Sequence, residues 1–297
     1  GVTCFNDMYF FPEATAEAAL RLGMRAALGI LTIGFPSAYA SDADDYLNKG
    51  LATRDALRDQ PLISFCLAPH APYTVSDASL EKVATLAAQL DVPVHIHVHE
   101  TRQEIGDSLR DHGVRPLARL HRLGLLGPNL IAVHAVHLDQ ADIALLADFG
   151  GKVAHCPVSN LKLASGIAPV AELARAGVCV GLGTDGAASN NRLDLFREMN
   201  FAALLAKGCS GDAAVLGAHD VLRMATLNAA RALGMEEKIG SLVAGKLADL
   251  CAVRLDDPWM QPCYDPVAHL VHVADRTCVS HVWVAGKPCL AEGNVQN

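Results

Sequence analysis

Short apolar runs alternate with longer stretches of helical spacing along the whole chain. The runs over 2–5, 25–33, 62–68, 92–98, 130–134, 152–155 and 178–183 predict strands. Several are continuously apolar rather than alternating, as strands covered on both faces are. Between them, 76–90 carries Leu80, Val83, Ala84 and Ala87 on one stripe, behind Ser76 and Asp77 as capping candidates. The segments 139–149 and 168–176 also read as helices, and Gly177 stands where a C-terminal cap belongs. Seven strand–helix units in a row imply a parallel sheet with crossover helices. Eight units close a barrel. The chain has no initiating Met and opens on what already reads as an interior strand. The expected fold is therefore an α/β, TIM-like (β/α)8 barrel entered at its second strand, the first lying upstream. An open doubly wound sheet is the alternative, but no GxGxxG follows the first run. After about residue 235 the texture changes: 240–249 is turn-rich, and 250–255, 278–285 and 288–290 read as a small β appendage with Gly286-Lys287 as a hairpin turn. The expected division is a barrel over 1–235 and a β-rich segment over 236–297.

Composition narrows the function classes. At 297 residues and 51% apolar there is material for a large core. The formal charge of −8 and the absence of Lys/Arg blocks speak against a nucleic-acid partner, which needs a basic face. No apolar run approaches the length of a membrane span, so no membrane partner is expected. The nine cysteines are scattered and form no CxxC pair, so they read as reduced, mostly buried thiols in a cytoplasmic setting.

The candidate chemistry lies where polar residues interrupt this pattern. The run at 62–68 leads into Pro69-His70, and 92–98 carries His95 and His97 and continues into His99 and Glu100. The run at 130–134 ends at His134, and 178–184 leads into Asp185. In a parallel barrel the C-terminal strand ends converge on one mouth, so residues from four strands would meet there. Each residue alone has a plainer reading. A strand-end His can satisfy backbone groups, Asp185 can cap the next helix, and Glu100 can be a solvated helix-start residue. Four such coincidences at successive strand ends are poorly explained that way. His with carboxylate suits zinc or a similar borderline divalent metal, which lowers the pKa of a coordinated water. His97 and Asp185 are the expected ligands, with a further pair to come from elsewhere. Positions 95, 97 and 99 share one strand face. His97 is taken as the ligand, His95 as structural and one layer deeper, and His99 as pocket lining or support. Glu100, just past the strand, is the candidate proton shuttle. The small residues after Asp185 lack the signature of a phosphate loop and fit close approach of a substrate or of the next helix.

Several stretches, in order along the chain, resemble one family. They are Leu67-Ala68-Pro69-His70-Ala71-Pro72-Tyr73, His97-Val98-His99-Glu100-Thr101, Val133-His134-Ala135-Val136-His137-Leu138, Val153-Ala154-His155-Cys156-Pro157 with Ser159-Asn160-Leu161-Lys162-Leu163, and Leu182-Gly183-Thr184-Asp185-Gly186-Ala187-Ala188-Ser189. Together with Gly245-Lys246-Leu247-Ala248-Asp249 and Val282-Trp283-Val284-Ala285-Gly286 they resemble the amidohydrolase superfamily, specifically its 5-methylthioadenosine/S-adenosylhomocysteine deaminase branch and the triazine-hydrolase relatives. The resemblance implies one divalent metal, zinc first and iron or manganese as alternatives, with His97 and Asp185 as ligands. The family's first-strand HxH pair is not in this sequence. It further implies that Glu100 shuttles protons and touches the purine, that His134 orients the attacking hydroxide, and that His70 and Ser189 bind the nucleoside. Asp185 would help deprotonate the water, which attacks the amine-bearing ring carbon as Glu100 protonates the ring nitrogen and ammonia leaves. No Arg is placed to hold a homocysteine carboxylate, and Asp42, Asp44 and Asp45 fill a loop that could have been basic, which tilts the substrate toward 5-methylthioadenosine over S-adenosylhomocysteine or adenosine. The alternatives are a guanine-type deaminase or triazine chlorohydrolase on the same barrel, and a non-catalytic barrel. Retention of Glu100 favours deamination. A homo-oligomer is compatible with the resemblance.

Overall fold

A computed structural model describes residues 1–296. Its main sheet has seven parallel strands in sequence order: β1 (Cys4–Asp7), β2 (Arg25–Thr32), β3 (Ile63–Pro69), β4 (Val94–Val98), β5 (Leu130–His134), β6 (Lys152–His155) and β7 (Cys179–Leu182). Helices make the crossovers. These are α1 (Pro12–Arg21) after β1, α2 (Ala43–Leu57) after β2, α3 (Asp77–Leu90) after β3, α4 (Arg102–His112) and α5 (Pro116–Arg122) after β4, α6 (Gln140–Asp148) after β5, and α7 (Pro157–Lys162) and α8 (Val170–Arg175) after β6. Three more, α9 (Leu195–Ser210), α10 (Ala218–Ala225) and α11 (Leu227–Ala232), follow β7. Asn6 on β1 and Gly181 on β7 line one cavity although they sit on opposite edge strands, so the sheet curls into the wall of a TIM-like barrel. Among the described residues no ladder joins β1 to β7. A second, antiparallel sheet is built from β8 (Leu250–Val253), β9 (Val279–Val284), β10 (Lys287–Ala291) and β11 (Asn294–Val295), with α12 (Pro266–His272) between β8 and β9.

The apolar runs become strands because both faces are covered. All eight residues of β2 are buried, as are all five of β5. Leu28, Ile30, Leu67 and Ile96 meet the inner faces of the helices through Leu47, Leu80, Val83, Leu117 and Leu120. Each such side chain contributes about 1.5–3 kcal/mol by leaving water. Gly50 lets α2 lie close on β2, since a methyl group there would collide with Ile30. The predicted caps are present: Ser76 Oγ accepts from the Ser79 N–H at 3.2 Å, and Gly177 takes φ +77° just after α8.

Some expectations shift. The first strand lies at Cys4–Asp7 rather than 2–5, because Asn6 and Asp7 continue the pairing with Ala27 and Leu28. The helix expected over 168–176 is confined to Val170–Arg175, and the terminal sheet has a short β11 that the sequence did not announce. Cys66, Cys156, Cys278 and Cys289 are buried, but Cys209 and Cys251 are exposed, so the expectation of buried thiols fails for those two. Among the described residues no helix is long and apolar enough to cross a membrane.

One polar contact ties the two sheets. Arg25, at the start of β2, donates from Nε to Asp249 Oδ2 at 2.7 Å and from Nη2 to Asp249 Oδ1 at 3.0 Å. Asp249 Oδ1 also accepts from the Ala285 N–H, in the turn after β9, at 2.8 Å. Both side chains are buried.

Candidate active site

The cavity at the C-terminal strand ends has a volume of about 740 Å³, and His70, His97, Glu100, His134, Asp185 and Ser189 all line it. That size suits a small organic ligand. Ligand atoms of His97, His134 and Asp185 lie within 4.8 Å of one another, the one such cluster found among the described residues. The structure thus brings the two ligands expected from sequence together and sets His134 against the same point.

Hydrogen bonds fix how these donors face. His97 Nδ1 lies 2.8 Å from the His70 carbonyl oxygen. A carbonyl can only accept, so Nδ1 carries the proton and Nε2 presents a lone pair. His134 Nδ1 lies 2.8 Å from Asn160 Oδ1, which assigns the same tautomer by the same logic. Burial, with the neighbouring His134 and His70 adding to it, pushes the His97 pKa down to about 4, which keeps this ring neutral. Asp185 Oδ2 accepts from Ser159 Oγ at 2.5 Å and Ser189 Oγ at 2.6 Å, and Oδ1 accepts from the Gly186 N–H at 2.7 Å. Burial raises the Asp185 pKa, but these three bonds more than offset it, and the carboxyl lies below its ordinary value. Imidazoles presenting Nε2 beside an ionised carboxylate fit zinc or a similar divalent ion, and donors locked by outer partners are what such sites use.

The backbone is strained where it delivers these groups. His134 has φ +72° and Asp185 φ +60°, in the left-handed region that costs a side-chain-bearing residue about 1–2 kcal/mol. His99 has φ +59° as well, and there the strict alternation breaks. β4 ends at Val98, and His99 turns out of the strand into the protein. Its Nδ1 donates to the His137 carbonyl at 3.1 Å, its Nε2 accepts from the Leu117 N–H at 3.1 Å, and burial pushes its pKa down to about 4. His99 is a packed structural residue, which selects support over pocket lining, the two readings the sequence left open. His95 lies two residues before His97 on the strand, its ring 6.2 Å from that of His97 and its Nδ1 without a hydrogen-bond partner among the described residues.

Around this centre, Glu100 faces the cavity with Oε2 3.9 Å from His134 Nε2, and its Oε1 accepts from Ser165 Oγ at 3.2 Å. His70 Nδ1 lies 2.9 Å from Thr74 Oγ1, whose own proton goes to the Ala71 carbonyl. His70 therefore donates from Nδ1 and offers Nε2 as an acceptor, and burial holds its pKa below the ordinary value. Ser189 lines the cavity, but its hydroxyl proton goes to Asp185.

Sequence reasoning assigned no role to the groups that hold these residues. Glu104 accepts from the His99 and Glu100 N–H groups, both at 2.8 Å, and so fixes the backbone beneath Glu100. A signal was present, since Thr101 and Glu104 form a Thr-x-x-Glu helix start in which Thr101 Oγ1 accepts from the Glu104 N–H. Asn160, Ser159 and Glu198 carried no such local signal.

Comparison with known proteins agrees with this arrangement. A profile of the Amidohydrolase family matches residues 1–289. A Teredinibacter turnerae protein named 5-methylthioadenosine/S-adenosylhomocysteine deaminase is 51% identical over 97% of this chain and 65% of its own length. An adenosine deaminase from Xanthomonas campestris, solved with bound zinc, superposes with a TM-score of 0.98 at 50% identity, covering 100% of this chain and 68% of that one. Atrazine chlorohydrolase from Arthrobacter aurescens, complexed with zinc, gives a TM-score of 0.90 at 28% identity, covering 99% of this chain and 70% of that one. The chain spans about two thirds of the length of the curated relatives it matches.

Proposed function

Because the chain belongs to the amidohydrolase family, we propose that the protein is a metal-dependent hydrolase that deaminates a purine nucleoside, 5-methylthioadenosine first, to the inosine-type product and ammonia. The observation that carries this reading is the convergence of His97, His134 and Asp185 in one cavity with Glu100 beside them. His97 and Asp185 would hold the ion, with zinc as first candidate and iron or manganese as others. When bound, the ion supplies a water acidic enough to ionise near neutral pH.

The remaining work falls to side chains. Asp185, kept ionised by three hydrogen bonds, takes a proton from the attacking water. His134 offers Nε2 as an acceptor and orients the attacking oxygen. Glu100 delivers a proton to the ring nitrogen as oxygen adds to the amine-bearing carbon; the proton held by Asp185 then passes to the amine, which leaves as ammonia when the C–N bond breaks, and the proton of the added hydroxyl returns to Glu100 as the carbonyl forms. His70 Nε2 accepts from a ribose hydroxyl. Ser189 supports Asp185 from within the pocket wall.

The finer choice of substrate rests on the wall. Among the described residues it carries no Lys or Arg, while Tyr9, Phe35 and Tyr73 stand exposed along it. That supports an uncharged thioether over an amino-acid tail. The acidic residues at 42–45 bear on it less than their charge suggested. Asp42 caps α2, Asp44 pairs with Lys82, and Asp45 pairs with Lys49.

The test uses full-length, zinc-loaded protein with 5-methylthioadenosine, and S-adenosylhomocysteine and adenosine alongside. Ammonia release and the adenine-to-hypoxanthine absorbance change are followed, with Asp185→Asn as control. Turnover lost on that substitution supports the mechanism. No turnover by metal-replete protein on any of the three sinks the nucleoside reading and moves the assay to guanine and triazines.

A further inference from the structure

We infer that Glu198 is a positioning residue for the metal centre, one buried carboxylate that fixes α7 and the 184–190 loop against each other and thereby orients His134 and Asp185. The inference rests on the metal-site reading proposed above. Glu198 lies on α9 and is fully buried. Its Oε2 accepts at 3.1 Å from the Val158 N–H, in the first turn of α7, where no acceptor exists within the helix. Its Oε1 accepts at 2.6 Å from Asn190 Nδ2. The same amide nitrogen donates at 2.9 Å to the carbonyl of Thr184, the residue before Asp185.

Both tethered segments carry the partners of the metal-facing groups. From α7, Ser159 Oγ donates to Asp185 Oδ2, and Asn160 Oδ1 accepts from His134 Nδ1. From the loop come Asp185 itself and Ser189, whose hydroxyl also donates to Asp185 Oδ2. Placement of two of the three convergent donors therefore passes through one side chain that hydrogen-bonds to neither of them. Among the described residues Glu198 has no ion-pair partner within 4 Å, so charge pairing does not explain its burial. A carboxylate without a cationic partner is costly to bury. What it supplies is two acceptors, held apart by the width of a carboxyl group, for donors on two different segments.

The geometry dictates the test substitution. Glu198→Gln keeps shape but sets an amide NH2 against either the Val158 N–H or Asn190 Nδ2. Turning the Asn190 amide over relieves the second clash only by facing its oxygen toward the Thr184 carbonyl. Asn190→Ala cuts the loop tether from the other side. Glu104→Gln is the control, because Glu104 is equally a buried carboxylate accepting from two donors, but these lie on the backbone of His99 and Glu100.

Full-length apoproteins are titrated with zinc against a competing chelator, and melting of the metal-free forms is recorded in parallel. Cobalt is substituted to read ligand geometry from its visible spectrum. Glu198→Gln and Asn190→Ala are expected to weaken zinc binding about 10–100-fold, the usual effect of losing an outer partner, and to alter the cobalt spectrum. Glu104→Gln is expected to lower melting comparably while zinc affinity stays within about twofold of wild type. Zinc affinity unchanged in a folded Glu198→Gln or Asn190→Ala protein overturns the inference, as does an equal loss in Glu104→Gln. Wild type that binds no zinc overturns the metal reading and this inference together, whereas zinc-binding wild type with unaffected variants overturns this inference alone.

Discussion

Glu104 makes stability depend on pH in a direction opposite to that of most carboxylates. Burial pushes its pKa from an ordinary 4.5 up to about 7, although the N–H groups of His99 and Glu100 pull the other way. The folded state thus prefers the protonated form. The stabilisation is fully present below pH 4.5, declines as pH rises, and is gone above about 7. The full difference corresponds to about 3 kcal/mol at 1.36 kcal/mol per pH unit. Between pH 5 and 8 most of it, about 2–3 kcal/mol, is lost. Glu104 is nearly inaccessible, so solvent screening removes little of this. Glu104→Gln does not titrate, and the difference between wild type and variant isolates this residue from the other groups. Urea unfolding of both metal-free proteins at pH 5, 6.5 and 8 measures it. Wild type should lose about 2–3 kcal/mol relative to the variant across that range. A difference that stays flat, or that grows in favour of wild type as pH rises, would refute the reasoning that burial outweighs the two N–H bonds.

Two substitutions separate holding the metal from doing the chemistry. Asn160→Ala removes the acceptor that fixes the His134 tautomer and should lower zinc affinity or kcat/KM about 10–100-fold, read by chelator competition and steady-state kinetics. Glu100→Gln removes the proton donor but no metal-facing atom, so kcat should fall about 10²–10⁴-fold with zinc content unchanged, read by metal analysis of the same sample that is assayed.

The apolar runs and their caps made the barrel wall legible, because burial on both faces leaves a continuous signature and Ser76 bonds within its own turn. The strand-end polar residues were legible for the same reason: His70, His97, His134 and Asp185 interrupt otherwise apolar segments. The sequence left His99 open between pocket lining and support because alternation assumes an extended backbone, and nothing in its neighbours announces a left-handed turn. Glu198 was invisible because its partners, Val158 and Asn190, belong to segments brought to it only by the fold. Local rules can find a residue that bonds three positions away, as in Thr101 and Glu104, but not one that bonds forty positions back.

The pairing of Arg25 with Asp249 has a consequence for how the molecule comes apart. If the second sheet detached while the barrel wall held, Arg25 would stay buried without its counterion, and the Ala285 N–H would lose its acceptor. Breaking a buried pair in that way costs about 3–5 kcal/mol, enough to make a half-melted species rare. Heating should therefore show a single calorimetric peak with equal van't Hoff and calorimetric enthalpies, so that damage to the surface of the small sheet lowers the melting point of the cavity mouth at the opposite end of the strands.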